Sequence, residues 1–177
     1  MFSKVCMRNL IYISGPITDN KTGLPRNGWE NEFRAAEEKL LEMGFSVITP
    51  TCFAKGIEKE WDKRVADGLA HDSTPRWYYI HRCLDEIAAM LRVEDMLSPL
   101  IEKLGTFHLL GLYVIGDMAD ISMSYGTMCE INFAMAAGLP VWSQYYGGCQ
   151  MTNMLMQKTY GQSIEEAAKQ LKTNYRP

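Results

Sequence analysis

The residues with the clearest capacity for chemistry sit in the run Ser124-Tyr125-Gly126-Thr127-Met128-Cys129-Glu130, a loop that feeds straight into a helical pattern. Backbone N–H groups at a helix entrance, together with the positive end of the helix dipole, favour an anion, so a phosphate or a carboxylate suits this place. The same dipole is expected to hold Glu130 ionised, as a carboxylate nucleophile requires. A plainer reading uses the same spacing: Thr127 and Glu130 form a T-x-x-E capping box. Ser124 either donates to an anion or simply caps and tightens the turn.

Three further groups could act beside Glu130. Asp117 and Asp120 lie on the preceding loop, where either could bind a sugar hydroxyl, the alternative being a loop held by Asx-type turns. The stretch Tyr79-Ile80-His81-Arg82-Cys83-Leu84-Asp85 supplies Arg82, able to reach a phosphate, and Asp85, a possible acid. Asp85 is otherwise a solvated partner of Arg82 at i,i+3. Tyr12, Ser14, Gly15, Pro16 and Ile17 fall at the end of an apolar run near the N-terminus, and there Tyr12 could equally be a core aromatic and Gly15-Pro16 an ordinary turn.

These positions need elements to carry them. Residues 9–14 are apolar and β-prone and stop at Gly15-Pro16, a first strand followed by a loop. From Asn27, an expected N-cap with Glu30 three residues on, Trp29, Phe33, Ala36 and Leu40 recur at helical spacing until Gly44. Residues 45–49 form a second strand, giving strand, helix, strand and hence a parallel pairing. Residues 51–74 are polar with short apolar interruptions and are expected to form a long lid or binding loop. Trp77, Ile80, Leu84, Ile87 and Leu91 mark another helix, with a further helical piece over residues 93–104. Residues 107–115 are the strongest strand candidate, 116–124 a loop, 127–137 a helix ended by Gly138, and 140–142 a short strand. Ser163 and Glu166 read as a capping box opening a terminal helix through Leu171. Four strands alternating with helices imply one α/β domain spanning residues 1–177, an open parallel sheet with helices on both faces. Such sheets bind ligands at the strands' carboxyl ends, which singles out residues 14–18 and 116–127.

The pairing of Ile11-Tyr12-Ile13-Ser14-Gly15-Pro16-Ile17-Thr18 with Ser124-x-Gly126-Thr127-x-x-Glu130-x-x-x-Ala134 and then Gly138-Leu139-Pro140-Val141 resembles the nucleoside 2-deoxyribosyltransferase superfamily. The likeness is greatest to a phage and bacterial branch of small proteins whose first strand reads YISGP. It also takes in Gly44-Phe45-x-Val47-x-x-Pro50. The resemblance implies a flavodoxin-like or Rossmann-like three-layer sandwich with a parallel sheet of four to five strands. It implies that Glu130 attacks the anomeric carbon of a (deoxy)ribose and displaces the base, with water or a second base resolving the glycosyl-enzyme. Tyr12, Ser14, Gly15, Pro16 and Ile17 would line the base and sugar pocket, and Ser124, Gly126 and Thr127 the 5′ end. A Ser at position 124, where nucleoside-specific relatives carry an Asp, points to a 5′-monophosphate, because an Asp would repel a phosphate that a hydroxyl can donate to. The family's usual acid on the second helix falls at Cys83, which leaves Asp85 and Asp120 as substitutes. Relatives form dimers or larger rings, so a homo-oligomer is expected.

Composition narrows the rest. A net charge of −3 with scattered Lys and Arg disfavours nucleic acid as a partner, and 47% apolar residues are globular composition. The five cysteines and three histidines show no metal-ligand spacing, so no metal, no cofactor and no disulfide are expected. No run reaches the ~20 apolar residues of a membrane span and no signal-peptide pattern opens the chain, which points to a cytoplasmic protein acting on a small-molecule nucleoside or nucleotide. Two other functions compete: a deoxyribosyltransferase acting on unphosphorylated nucleosides, and a catalytically inactive nucleotide sensor. Dinucleotide-dependent redox chemistry is disfavoured, since no G-x-G-x-x-G follows the first strand.

Overall fold

A computed structural model of the chain describes residues 8–19, 21–22, 24–71, 75–91, 107–153, 158–159 and 162–174. The chain runs β1 (Arg8–Ser14), α1 (Trp29–Glu42), β2 (Ser46–Ile48), α2 (Thr51–Ala66), α3 (Arg76–Leu91), β3 (Phe107–Val114), α4 (Met118–Met123), α5 (Tyr125–Ala136), β4 (Val141–Ser143), β5 (Cys149–Asn153), β6 (Lys158–Thr159) and α6 (Ile164–Asn174). The strands form one sheet in the order β2-β1-β3-β4-β5-β6. The first four are mutually parallel, and β5 and β6 add an antiparallel edge.

Period-two alternation sorts the side chains between two helical layers. Ile11 and Ile13 of β1 join Tyr113, Ile115 and Trp142 beneath α1 and α6, with Phe33, Ala36, Leu40, Ile164 and Ala168 as the helical side of that core. Leu10 and Tyr12 face the other way, with Leu112, Val114 and Val141, against Ile87 of α3 and Ile131 and Ala134 of α5. A register shift at Leu10/Ile11 leaves Leu110 as an extra residue in β3, and this bulge puts Leu112 and Val114 on the same face as Tyr12. The result is a three-layer α/β sandwich, with α3 and α5 covering one face and α1 and α6 the other.

Most expected elements are present, and the differences have local causes. Residues 51–66 form α2 rather than a loop, because Phe53, Ile57 and Trp61 recur every four residues and make a stripe one residue wide. That stripe is enough: Trp61 packs on Tyr78 of α3 with ring centroids 4.8 Å apart. Helix α1 starts after Gly28, whose φ of 80° and lack of a side-chain cap replace the expected Asn27 capping box. Gly44 and Gly138, at φ 95° and 74°, stop α1 and α5 as their positions suggest. The capping box of α6 is formed in both directions, Glu166 N–H donating to Ser163 Oγ at 3.2 Å and Ser163 N–H to Glu166 Oε2 at 2.9 Å. The helical piece expected at residues 93–104 lies outside the described residues. No helix among the described residues is long and apolar enough to cross a membrane.

Candidate active site

Strand order reverses between β1 and β3, so the crevice at their carboxyl ends is the place where an open α/β sheet holds a ligand. Helix α5 leaves this end of the sheet and lies across β1, β3 and β4. Its residue Glu130 is only 6% exposed and turns toward the sheet. The Tyr12 hydroxyl donates to Glu130 Oε1 at 2.7 Å, and the Ser14 hydroxyl donates to Oε2 at 2.5 Å. Tyr12 and Ser14 are two apart on one strand, so both reach the same face, and each oxygen of the carboxylate takes one neutral donor.

The arrangement overturns the expected account of Glu130's charge. Helix α5 begins at Tyr125 with Ser124 as its N-cap, so Glu130 is past the first turn and is neither a capping-box residue nor within reach of the dipole's strongest effect. Burial instead pushes its carboxyl up to about 7, against the hydrogen bonds from Ser14 and Tyr12, which pull it down. The neighbours respond in kind. Burial and the Glu130 charge lift the Tyr12 phenol well above its ordinary value, and burial and the same charge push the Cys83 thiol up to about 12. Both stay protonated at neutral pH and face Glu130 as uncharged groups.

Helix α3 brings Cys83, not Asp85, to this centre. Two residues of helix amount to a rotation of about 200°, so when Cys83 faces the sheet Asp85 must face water. Asp85 accordingly pairs with Arg82 at 3.1 Å and with His81 Nδ1 at 3.3 Å, and its side chain is 47% exposed. Arg82 is held in the same outer cluster by Glu60 at 3.2 Å. The assignment of Asp85 as an acid and of Arg82 as a phosphate ligand is therefore corrected: both belong to an ionic cluster on the outer surface of α2 and α3.

The loops on either side of Glu130 are clamped by a residue that the sequence did not single out. Arg26 donates through Nη1 to the Pro16 carbonyl at 2.9 Å and pairs through Nη2 with Asp120 at 2.7 Å, with Glu32 at 3.5 Å. Its backbone N–H donates to Ile17 O at 2.8 Å, and Thr18 and Pro25 form an antiparallel bridge beside it. Asp120, expected as a catalytic residue, is engaged in this clamp. Asp117 caps α4 by accepting from Asp120 N–H at 2.8 Å, the Asx-type alternative. Gly15 admits no side chain, since a β-carbon there would collide with Ile115.

At the entrance of α5, Ser124 and Thr127 are buried and share a hydrogen bond of 2.9 Å between their hydroxyls. Ser124 also caps the helix toward Thr127 N–H at 3.5 Å. Gly126 lies against α3, where a β-carbon would sit 3.5 Å from Ile80 Cγ1. The structure therefore gathers Tyr12, Ser14, Ser124, Thr127 and Glu130 at one end of one face, adds Cys83, and sets Asp85 and Arg82 apart. Nothing in residue spacing marks Arg26, whereas the resemblance drawn from the sequence had already singled out Cys83. Among the described residues no group of three or more His, Cys, Asp or Glu side chains is placed to hold a metal ion. No protein-family model, curated protein or solved structure matches this chain.

Proposed function

We propose that the protein cleaves or exchanges the N-glycosidic bond of a (2′-deoxy)nucleoside 5′-monophosphate through a covalent intermediate on Glu130. The observation that carries this reading is the carboxylate itself: buried at the switch point of the sheet, each oxygen held by a neutral hydroxyl. Two fixed donors orient the carboxylate without neutralising it, and a water-poor setting strengthens its attraction for a cationic sugar.

In the proposed step a Glu130 oxygen attacks C1′ of the bound sugar as the C1′–N bond breaks and its electron pair leaves with the base. The base takes a proton from water. A water molecule then attacks C1′ and gives a proton to the hydroxide left by the first, restoring the carboxylate and releasing the sugar phosphate, or a second base attacks, loses its N–H proton to that hydroxide, and a new nucleotide leaves. Positive charge on the sugar in the transition state is what the Glu130 carboxylate opposes. Since Glu130 must be ionised to attack, kcat/KM is expected to rise with pH along an acid limb centred near 7, where burial places its carboxyl.

The test is incubation with a panel of deoxynucleosides and their 5′-monophosphates, with and without acceptor bases, followed by chromatography of released and exchanged base. Turnover that disappears in Glu130→Gln while ligand binding persists supports the reading. Turnover that Glu130→Gln leaves intact sinks it. A second reading, a nucleotide-binding protein without turnover, is favoured by one observation: the group facing Glu130 from α3 is a thiol whose ordinary value is pushed to about 12, a poor acid for a departing base. Tight binding of a monophosphate with no free or exchanged base supports that alternative.

A further inference from the structure

The buried polar or charged side chains among the described residues are Ser14, Thr49, Ser124, Thr127, Glu130 and Ser143. All lie at the carboxyl edge of the parallel strands or on the N-terminal half of α5. Five have a partner within the protein: Ser14 on Glu130, Thr49 on Thr51, and Ser124 and Thr127 on each other. Ser143 is fully buried and its hydroxyl has none among the described residues. A buried hydroxyl without a partner loses its hydration and gains nothing in return, so its presence calls for a reason.

Register supplies the reason. Ser14 of β1 pairs with Val114 of β3, and Val114 pairs with Ser143 of β4, so the three form one row across the sheet. Val141 joins the core beneath α5 and Trp142 the core on the opposite face, and alternation returns Ser143 to the α5 side. At about 4.8 Å per strand, two strand spacings set Ser143 roughly 10 Å from Ser14, on the far side of Val114. Helix α5 follows β3 by way of α4, precedes β4 and lies across β1, β3 and β4, so its N-terminus falls at this same edge. Ser124, the serine expected to meet a phosphate, shares a hydrogen bond with the Thr127 hydroxyl and accepts from the Thr127 N–H.

We propose that Ser143 forms, with the first turn of α5, the subsite for the ligand's 5′-phosphate, its hydroxyl donating to a phosphate oxygen. The identity of the ligand rests on the nucleotide reading above, but the subsite does not require that the bond be cleaved. The turn at residues 144–148 follows Ser143 directly, and its Tyr146 packs on the same face. Entry of a phosphate therefore moves that turn, and an occupied site holds it.

The experiment compares wild type, Ser143→Ala and Ser143→Cys by calorimetric titration with the four deoxynucleoside 5′-monophosphates and the matching nucleosides, alongside denaturant unfolding. Loss of a hydrogen bond to a charged group weakens monophosphate binding by roughly 10- to 100-fold and leaves nucleoside binding unchanged. Both variants are expected to be at least as stable as wild type, because the hydroxyl removed has no partner among the described residues. Amide hydrogen exchange at residues 144–148 should slow when a monophosphate binds wild type. Equal monophosphate affinity in all three proteins overturns the subsite, as does destabilisation of both variants, which would assign the hydroxyl to the folded core. Monophosphate binding that depends on Ser143 without base release sinks the cleavage reading alone. Base release with unchanged KM in Ser143→Ala sinks the subsite alone. A wild-type protein that binds no monophosphate overturns both.

Discussion

Replacing Glu130 by Gln should make the protein relatively more stable as pH rises, an effect opposite to that of removing an ordinary stabilising carboxylate. Burial lifts the Glu130 carboxyl from 4.5 to about 7 in the folded chain. Below about pH 4.5 the folded and unfolded chains both carry the proton and the group has no effect on the balance. Between about 4.5 and 7 the unfolded chain releases the proton while the folded chain keeps it, so stability falls as pH rises. Above 7 the folded chain ionises as well, and the penalty stays at its full value. The difference of about 2.5 pH units, at about 1.4 kcal/mol each, amounts to roughly 3 kcal/mol. Gln has no proton to lose, so its profile lacks this decline. Its amide can accept from one hydroxyl but must donate toward the other, a loss of about 1 kcal/mol that does not depend on pH. Unfolding by urea from pH 4 to 8 should thus show the stability of the variant gaining on wild type by roughly 3 kcal/mol across that range. In thermal melts this corresponds to a relative shift of about 6–12 °C for a chain of this size. Parallel profiles for the two proteins would refute the placement of an ionisable carboxyl in a dry interior.

Three other substitutions probe the surroundings of that carboxyl. Tyr12→Phe removes a donor that favours the charged form, so the Glu130 carboxyl should move higher still, and both the decline in stability and the acid limb of kcat/KM should shift to higher pH. An unmoved limb would take Tyr12 out of contact with the carboxylate. Asp85→Asn should change neither base release nor stability beyond about 0.5 kcal/mol, as its partners are exposed charges on α3. A folded Asp85→Asn protein that no longer turns over substrate would contradict the outward placement. Gly15→Ala forces a β-carbon into Ile115 and should cost about 1–3 kcal/mol in denaturant unfolding, with Ile115→Ala restoring part of the loss in the double variant. Additive losses would show that a β-carbon at position 15 does not meet the Ile115 side chain.

Much of this architecture is written in local patterns. The run Leu10-Ile11-Tyr12-Ile13 ending at Gly15-Pro16 can hardly be other than a buried strand, and Phe33, Ala36 and Leu40 before Gly44 make a helix with one apolar face. Ser163 and Glu166 specify their capping box unaided, because every atom involved lies within four residues. Glu130, Tyr12 and Ser14 could be named as candidates from residue type and order. What no local pattern contains is the rotation of one element against another. Cys83 and Asp85 are both reasonable inward positions on α3 until packing against β3 and α5 selects one face of that helix, and the selection sends Asp85 to Arg82. Helix α2 depends on Trp61 meeting Tyr78, a contact between elements that the polar composition of residues 51–74 conceals. The state of Glu130 is decided the same way. Its position near the start of a helix argues for a low, ionised carboxylate, but the layers that close over it remove water, and desolvation outweighs both the dipole and two hydrogen bonds.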